Sequence, residues 1–273
     1  MSGFLGIARE RVFSPGKVNA DRLILEAVAA ALQRGGHAVQ VVSADDELTA
    51  PARDTTVFTM AQGERALATL RQWECAGVRV INSVAAVLNC HRHRMVEHFR
   101  QAGIAAPETI ELGTSAAGLQ WPSWLDGDGG WLKRGDVHAT ESGDVVLVRG
   151  AAAAAAAVAQ LRQRGIARAV LQRHVAGPVI KFYAVADGWL AYYPALATPL
   201  QLTAAQLLEL RALAAAAAGA LGVEVYGGDC VACAGGGFQL IDLNDWPSYA
   251  PCRAVAADVI AAHLQAQRES SDW

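Results

Sequence analysis

The stretch IDLNDWPSY, residues 241–249, sets an acid and an amide two positions apart inside an apolar run. Strand side chains alternate between faces, so Asp242 and Asn244 share one face and Ile241 and Leu243 the other. Asp229 stands in the preceding segment VYGGDCVAC, and the turn AGGG joins the two segments. Antiparallel pairing therefore gathers Asp229, Asp242 and Asn244 at one spot. Two carboxylates and an amide oxygen are hard ligands that suit magnesium. Mg²⁺ rarely takes a full cage from protein and usually bridges to phosphates, which points to a nucleotide as the source of the remaining ligands. An acid-x-Asn pair alone is equally well explained by a polar strand face at a sheet edge.

The elements that must position this hairpin read as follows. GFLGIA is a buried strand, a helix runs over about 21–34 and is stopped by Gly35-Gly36, and HAVQVVSA, DTTVFTMA and VRVINS are further strands around the helix ERALATLRQWECAG. That βαβ rhythm predicts a doubly wound, mostly parallel sheet. Ligands of such sheets collect at the carboxyl ends of the strands, which places Arg9, Glu10 and Arg11 at a substrate mouth. No GxGxxG follows the first strand, so a dinucleotide fold is not supported. A basic helix over 90–102 ends at Gly103, and IAAPETIEL continues toward a strand. WLKRGDVHAT and DVVLVRG are two strands joined by a polar glycine-containing loop. An Ala-rich helix (151–164), the strand AVLQRHV, a hairpin turning at Asp187-Gly188, a helix over 203–221, the Asp229/Asp242 hairpin and a last helix from about 251 to 267 complete the chain.

At 273 residues, 53% hydrophobic and 18% charged, the chain can bury a sizeable core. A net charge of -3 and a pI near 6.2 give no electrostatic draw toward nucleic acid or an anionic membrane, so small molecules are the expected partners. The start MSGFLGIARERVFS lacks the features of a secretory signal, and the Ala-rich tracts are short and flanked by charged residues, so a cytoplasmic location is expected. The five scattered cysteines are expected to be reduced thiols. Cys90, His91 and His93 diverge around a helix and lack a third ligand for zinc; Cys230 and Cys233 form a lone CxxC read as small buried thiols. Trp121, Trp124 and Trp131 are expected to pack a lid against the body.

Taken in order, INS before a helix, G-I-x-x-P-x-T, a strand lysine, LQRHV, IKFYAVADG, GGD and IDLN resemble the ATP-grasp superfamily across nearly all of residues 1–265. The resemblance implies mixed α/β and α+β architecture: an N-terminal Rossmann-like pre-ATP-grasp domain (1–88), a lid subdomain with its connecting helix (89–175), and a C-terminal subdomain bearing the metal site (176–273). In that family the central strand pair delivers the metal ligands, matched here by Asp229, Asp242 and Asn244. A lid lysine contacts the nucleotide phosphates, a place taken by Lys133. The family's earlier lysine is replaced by Arg92, which keeps the charge but changes the fork geometry. The adenine hinge falls on Gln172 and the backbone of His174 and Val175; the carboxylate that often follows the glutamine is missing, Arg173 standing there. Lys181 aligns with a basic residue facing the phosphates or the transferred group. The loop 134–140 offers Gly135 for backbone approach to phosphate. His138 at its tip is open between phosphate binding, a proton shuttle and a plain loop residue.

The resemblance implies ATP and Mg²⁺ as cofactors and a carboxylate–amine ligase that works through an acylphosphate, similar to the glutathione synthetase and ribosomal-protein glutamate ligase (RimK-like) branch. Its substrates would be a small carboxylate and an amine, and a homodimer would be common for the family; from their place after the first strand, Arg9 and Arg11 are the candidates for gripping a substrate carboxylate or phosphate, with ordinary solvated loop arginines as the alternative. Two other readings stand beside it. Inositol-phosphate kinases of the superfamily share Asp at the place of Asp242 and a K-x-Y/F-x-V hairpin, and a noncatalytic nucleotide-binding protein would keep the fold without turnover.

Overall fold

The computed structural model describes residues 3–14, 16, 18–116, 120–137, 139–195 and 200–269. Strand β1 (Gly3–Ala8) leads through helix α1 (Val18–Arg34) to β2 (Ala38–Ser43), then β3 (Thr56–Thr59), α2 (Glu64–Cys75) and β4 (Arg79–Ile81). These four strands form one parallel sheet in the order β2-β1-β3-β4, the doubly wound unit that the sequence rhythm predicts. Phe4, Leu5, Ile7, Val57 and Phe58 are buried, as strands covered on both faces require. The end of β1 is tied to the start of α2 by Glu10, whose carboxylate accepts hydrogen bonds from the Gln62 and Gly63 N–H groups at 3.0 Å.

Two helices follow where one was expected. The first, α3 (Val84–Asn89), is capped by Ser83, whose Oγ accepts from the Ala86 N–H; the second, α4 (Arg92–Ala102), ends at Gly103 in the left-handed conformation, φ 64°. Next come β5 (Thr109–Gly113), β6 (Gly130–Arg134), β7 (Val145–Val148), α5 (Ala151–Gln163) and β8 (Arg168–Arg173). They build an antiparallel sheet ordered β5-β8-β6-β7, with α5 packed on one face through Ala154 and Leu161 against Leu125, Leu132 and Leu171. The hairpin β9 (Val179–Val185) and β10 (Leu190–Pro194), helix α6 (Ala204–Leu221), and strands β11 (Val225–Ala232) and β12 (Phe238–Asp245) form a second antiparallel sheet, β10-β9-β11-β12. A capping box of Thr203 and Gln206 starts α6. By length and composition α6 could cross a membrane, but Leu210, Ala214, Ala217, Ala218 and Leu221 make a stripe at helical spacing that packs into the core of this sheet. The chain closes on α7 (Arg253–Glu269).

Packing crosses the divisions at 88/89 and 175/176. Met95 and Phe99 of α4 share a core with Ile180, Phe182, Leu210 and Leu240, while the same helix also lies against β5 and β8 of the lid sheet, so it connects the two. The lid's own core gathers residues from Ile110 to Leu171. Helix α7 returns to the N-terminal unit, where Ile260 and Leu264 pack with Phe4, Leu25 and Val28. Each helix follows its apolar face, which sequence order does not record. Of the tryptophans expected at the lid–body contact, Trp121 and Trp124 pack on the lid's own core. The five cysteines are free thiols, Cys230 fully buried.

Candidate active site

Strands β11 and β12 pair so that Asp229 lies directly across from Asp242 and Gly227 across from Asn244. The register then skips, for Cys230 pairs with Leu240, and Ile241 is the extra residue of a β-bulge. This bulge corrects the simple alternation read from the sequence. Leu240 joins Leu243 in the core, while Ile241 borders a cavity together with Asp229, Asp242 and Asn244. The bulge also presents the Ile241 carbonyl, which accepts a hydrogen bond from Lys133 Nζ at 2.8 Å.

Lys133 comes from β6 of the lid sheet, and its ammonium donates a second bond to Gln172 Oε1 of β8 at 2.7 Å. Only 6% of Lys133 is exposed. Burial lowers its ammonium to about 8, with Asp242 pulling the value up and Arg92 pushing it down. Arg92, the first residue of α4, places Nη2 2.5 Å from Asp242 Oδ2 and Nη1 3.3 Å from the Arg134 carbonyl. On β9, Lys181 faces Asp229 across the ladder, its Nζ 2.7 Å from Oδ1. Asp229 and Asp242 therefore each hold a cationic side chain.

These groups line one cavity of about 540 Å³ between the two antiparallel sheets. Gln172, Arg173, His174 and Val175 form one border. The His174 N–H already donates to the Gly129 carbonyl at 3.1 Å, so a base would meet this residue at its carbonyl or ring. Trp131 lies here as well, and its indole N–H donates to His174 Nδ1 at 3.0 Å. Arg173 pairs outward with Glu108 at 3.0 Å. A second cavity of about 530 Å³ lies behind Arg92, Lys133, Gln172, Ile241 and Asp242 and is lined chiefly by apolar residues such as Met95, Phe99, Ile104 and Leu240.

At the end nearest the parallel sheet, Arg9, Asp21 and Asp245 complete the first cavity. Arg9 reaches it as a brace: Nε donates to the Met60 carbonyl, Nη2 to the Trp246 carbonyl, and Nη1 lies 3.4 Å from Asp21. Asp245 accepts two bonds from Gln62 Nε2 at 3.0 and 2.9 Å, and burial raises its carboxyl against the pull of Arg9. Arg11 does not join them. Its side chain is 86% exposed beside Asp45, because the single helical turn at 11–13 points it away from the sheet. Gly135 also departs from expectation. Its N–H donates to the Arg168 carbonyl and its carbonyl accepts from the His93 N–H, so the Gly135 amide itself is already engaged. A Cβ at Gly135 would sit 2.9 Å from the Arg168 backbone, so strand packing demands the glycine. His138 lies outside the described residues.

No protein-family model matches the sequence, and no curated protein matches it either. Solved structures do. The chain is similar to D-alanine–D-alanine ligase from Bacillus anthracis complexed with ATP, with a TM-score of 0.72 and 12% identity over 99% of each chain. It is also similar to a RimK-domain ATP-grasp protein from Sphaerobacter thermophilus, TM-score 0.68 and 20% identity over 96% of this chain and 100% of the other. The ATP-grasp ligase PsnB complexed with a minimal precursor gives 0.66 and 16%, over 97% and 99%. The chain has the ATP-grasp fold.

Within the ATP-grasp fold the Asp229–Asp242–Asn244 set passes the chemical test for a hard divalent cation: its donors are all oxygens, and both carboxylates already attract cations. Among the described residues no three His, Cys, Asp or Glu side chains converge as metal ligands, so the set consists of two carboxylates and one amide. A cation held by these three donors would keep positions open for phosphate oxygens and water. Sequence reasoning took Trp131 for lid packing and missed Asp245 and the Ile241 carbonyl. A Trp two residues before the strand lysine shares its face, which is the signal for Trp131 at the cavity; nothing in the sequence marks the bulge.

Proposed function

We propose that this chain is an ATP-dependent, ADP-forming carboxylate–amine ligase that uses Mg²⁺. One observation carries the reading. A single cavity joins buried Lys133 of the lid sheet and Arg92 of α4 to Asp229, Asp242 and Asn244 of the hairpin, and continues to the carboxyl end of the parallel sheet, where a second substrate has room. Fold likeness to ATP-grasp ligases supports it at the general level.

Lys133 and Arg92 hold the phosphates and neutralise charge as it builds on the transferred group, and Lys181 does so from the opposite sheet. A divalent ion, when bound by Asp229, Asp242 and Asn244, supplies further neutralisation. The carboxylate oxygen of one substrate attacks the γ-phosphorus and ADP leaves with the bond's electron pair, giving an acylphosphate. The amine nitrogen then attacks the acyl carbon, phosphate departs, and the nitrogen loses a proton to give the amide. The walls of the two sheets exclude water that would otherwise hydrolyse the acylphosphate.

The inositol-phosphate kinase reading fits the far end less well. Asp21 and Asp245 stand there, and the donors of Arg9 face two carbonyls and Asp21, whereas a polyphosphate needs unengaged cations. The test is incubation with Mg²⁺-ATP and pooled amino acids, small carboxylates, amines and polyols, followed by mass analysis. A condensed product one water lighter than its parts, with ADP and free phosphate, supports the ligase. A phosphorylated product with ADP and no free phosphate refutes it.

A further inference from the structure

The metal-ligand carboxylate Asp242 is held by Arg92, and the terms of that contact decide when a metal can reach it. We propose that Arg92 is a binding-order residue: its guanidinium guards Asp242, so the site admits a divalent cation together with nucleotide phosphates and not before them. The inference rests on the assignment of Asp229, Asp242 and Asn244 as metal ligands.

The Arg92–Asp242 pair is tight and buried, at 2.5 Å with side chains 8% and 13% exposed. A bare divalent cation would have to displace a guanidinium that cannot be deprotonated and is shielded from water. It would also arrive among other cations. Lys133 sits on the neighbouring Ile241 carbonyl and Lys181 on Asp229, so the two carboxylates are surrounded by three positive side chains. These cations weaken the pull of the two carboxylates on a divalent cation that arrives alone.

A nucleotide reverses the balance. Its phosphates bring several negative charges, and a phosphate presents the paired oxygens that a guanidinium fork recognises. The resting position of Arg92 leaves room for improvement, because its Nε is buried without a hydrogen-bond partner and Nη1 makes only a 3.3 Å contact with the Arg134 carbonyl. Moving the fork onto phosphate satisfies the orphaned donor and releases Asp242 in the same step. A lysine here has no fork and no Nε to satisfy, so the device depends on arginine at position 92.

Mn²⁺ binding to the full chain, read by electron paramagnetic resonance without any turnover, tests this. Without nucleotide, wild type binds Mn²⁺ weakly, and Arg92→Gln binds it roughly tenfold or more tighter. Asp242→Asn in the Arg92→Gln background removes the gain, which locates it. With a non-hydrolysable ATP analogue, wild type takes up Mn²⁺ and the advantage of Arg92→Gln shrinks. Equal nucleotide-free affinity of wild type and Arg92→Gln overturns the proposal while leaving the metal assignment standing. Absence of bound Mn²⁺ in every protein, with or without the analogue, overturns the metal assignment and this proposal with it. If Arg92→Gln does not fold, wild type decides alone: Asp242-dependent Mn²⁺ binding that is as tight without the analogue as with it is the overturning result.

Discussion

Replacing Lys133 by Met removes the buried ammonium at the centre of the proposed nucleotide site while keeping much of its volume. Its Nζ bonds Gln172 Oε1 at 2.7 Å and the Ile241 carbonyl at 2.8 Å, between the two sheets that would clamp the phosphates. A charge-assisted bond to phosphate contributes about 1.5–3 kcal/mol, so Lys133→Met should weaken ATP binding by roughly 10- to 150-fold. Stability should change little, by about 1 kcal/mol, because losing the two bonds is offset by no longer burying an ammonium. The pH dependence supplies a second arm. Burial brings this ammonium down to about 8, so wild-type affinity should be level below pH 7 and fall by up to about tenfold per unit above 8. Lys133→Arg should flatten that slope, since the guanidinium keeps its charge. Folding stability runs the opposite way. The folded value lies below the unfolded one, so the penalty of burying the charge is relieved as pH rises through about 8. Isothermal titration calorimetry with an ATP analogue across pH 6–10, paired with thermal melts, reads both. Wild-type affinity in Lys133→Met would refute the reasoning, as would a pH slope that survives in Lys133→Arg.

Other outcomes follow from single contacts. Asp144 is fully buried and accepts from the Thr140 and Glu141 N–H groups at 2.7 and 3.0 Å and from Arg164 at 2.6 Å. Burial pushes its carboxyl up, yet these donors hold it near 2, so it stabilises the lid loop fully above about pH 4 and loses that effect as pH falls toward 2. Hydrogen exchange at residues 140–144 should rise in that window, and should already be high at pH 7 in Asp144→Ala. A methyl group at Gly228 would lie 2.5 Å from the Asp242 carbonyl and 2.6 Å from the Phe182 ring, so Gly228→Ala should cost about 1–3 kcal/mol in urea unfolding and weaken nucleotide binding by displacing β12. Arg11→Ala should leave both stability and acceptor KM within error of wild type, because its side chain is 86% exposed and outside the cavity.

The hairpin of Asp229, Asp242 and Asn244 was legible because a period of two and a glycine turn determine which residues can meet. Lys133 and Gln172 were legible only through the order of segments, since nothing local distinguishes a cavity lysine from a solvated one. The bulge at Ile241 was not legible. It lies in an apolar run with no glycine, and the pairing of Cys230 with Leu240 that creates it is a property of both strands together. Gly135 misled because glycine answers two needs, close approach of a ligand and close approach of another strand, and here the Arg168 backbone is the neighbour. Arg9 and Arg11 lie two residues apart after the same strand, yet one is drawn in by the Met60 and Trp246 carbonyls and the other is left in solvent. The loop that carries Trp246 past Arg9 holds Trp246 at φ 38° and Tyr249 at φ 49°, both fully buried. Such left-handed backbone at bulky residues is tolerated only where surroundings enforce it, and sequence patterns do not foretell it.

The most direct test of the ligase assignment follows oxygen. With a carboxylate and amine pair taken from the product screen, the carboxylate is labelled with ¹⁸O in both oxygens and the reaction is run with unlabelled Mg²⁺-ATP. Attack of that carboxylate on the γ-phosphorus and later departure of phosphate predict one labelled oxygen in the released inorganic phosphate and one in the amide. Unlabelled phosphate with both labels kept in the organic product, or phosphate found covalently on the product, would contradict an acylphosphate ligase.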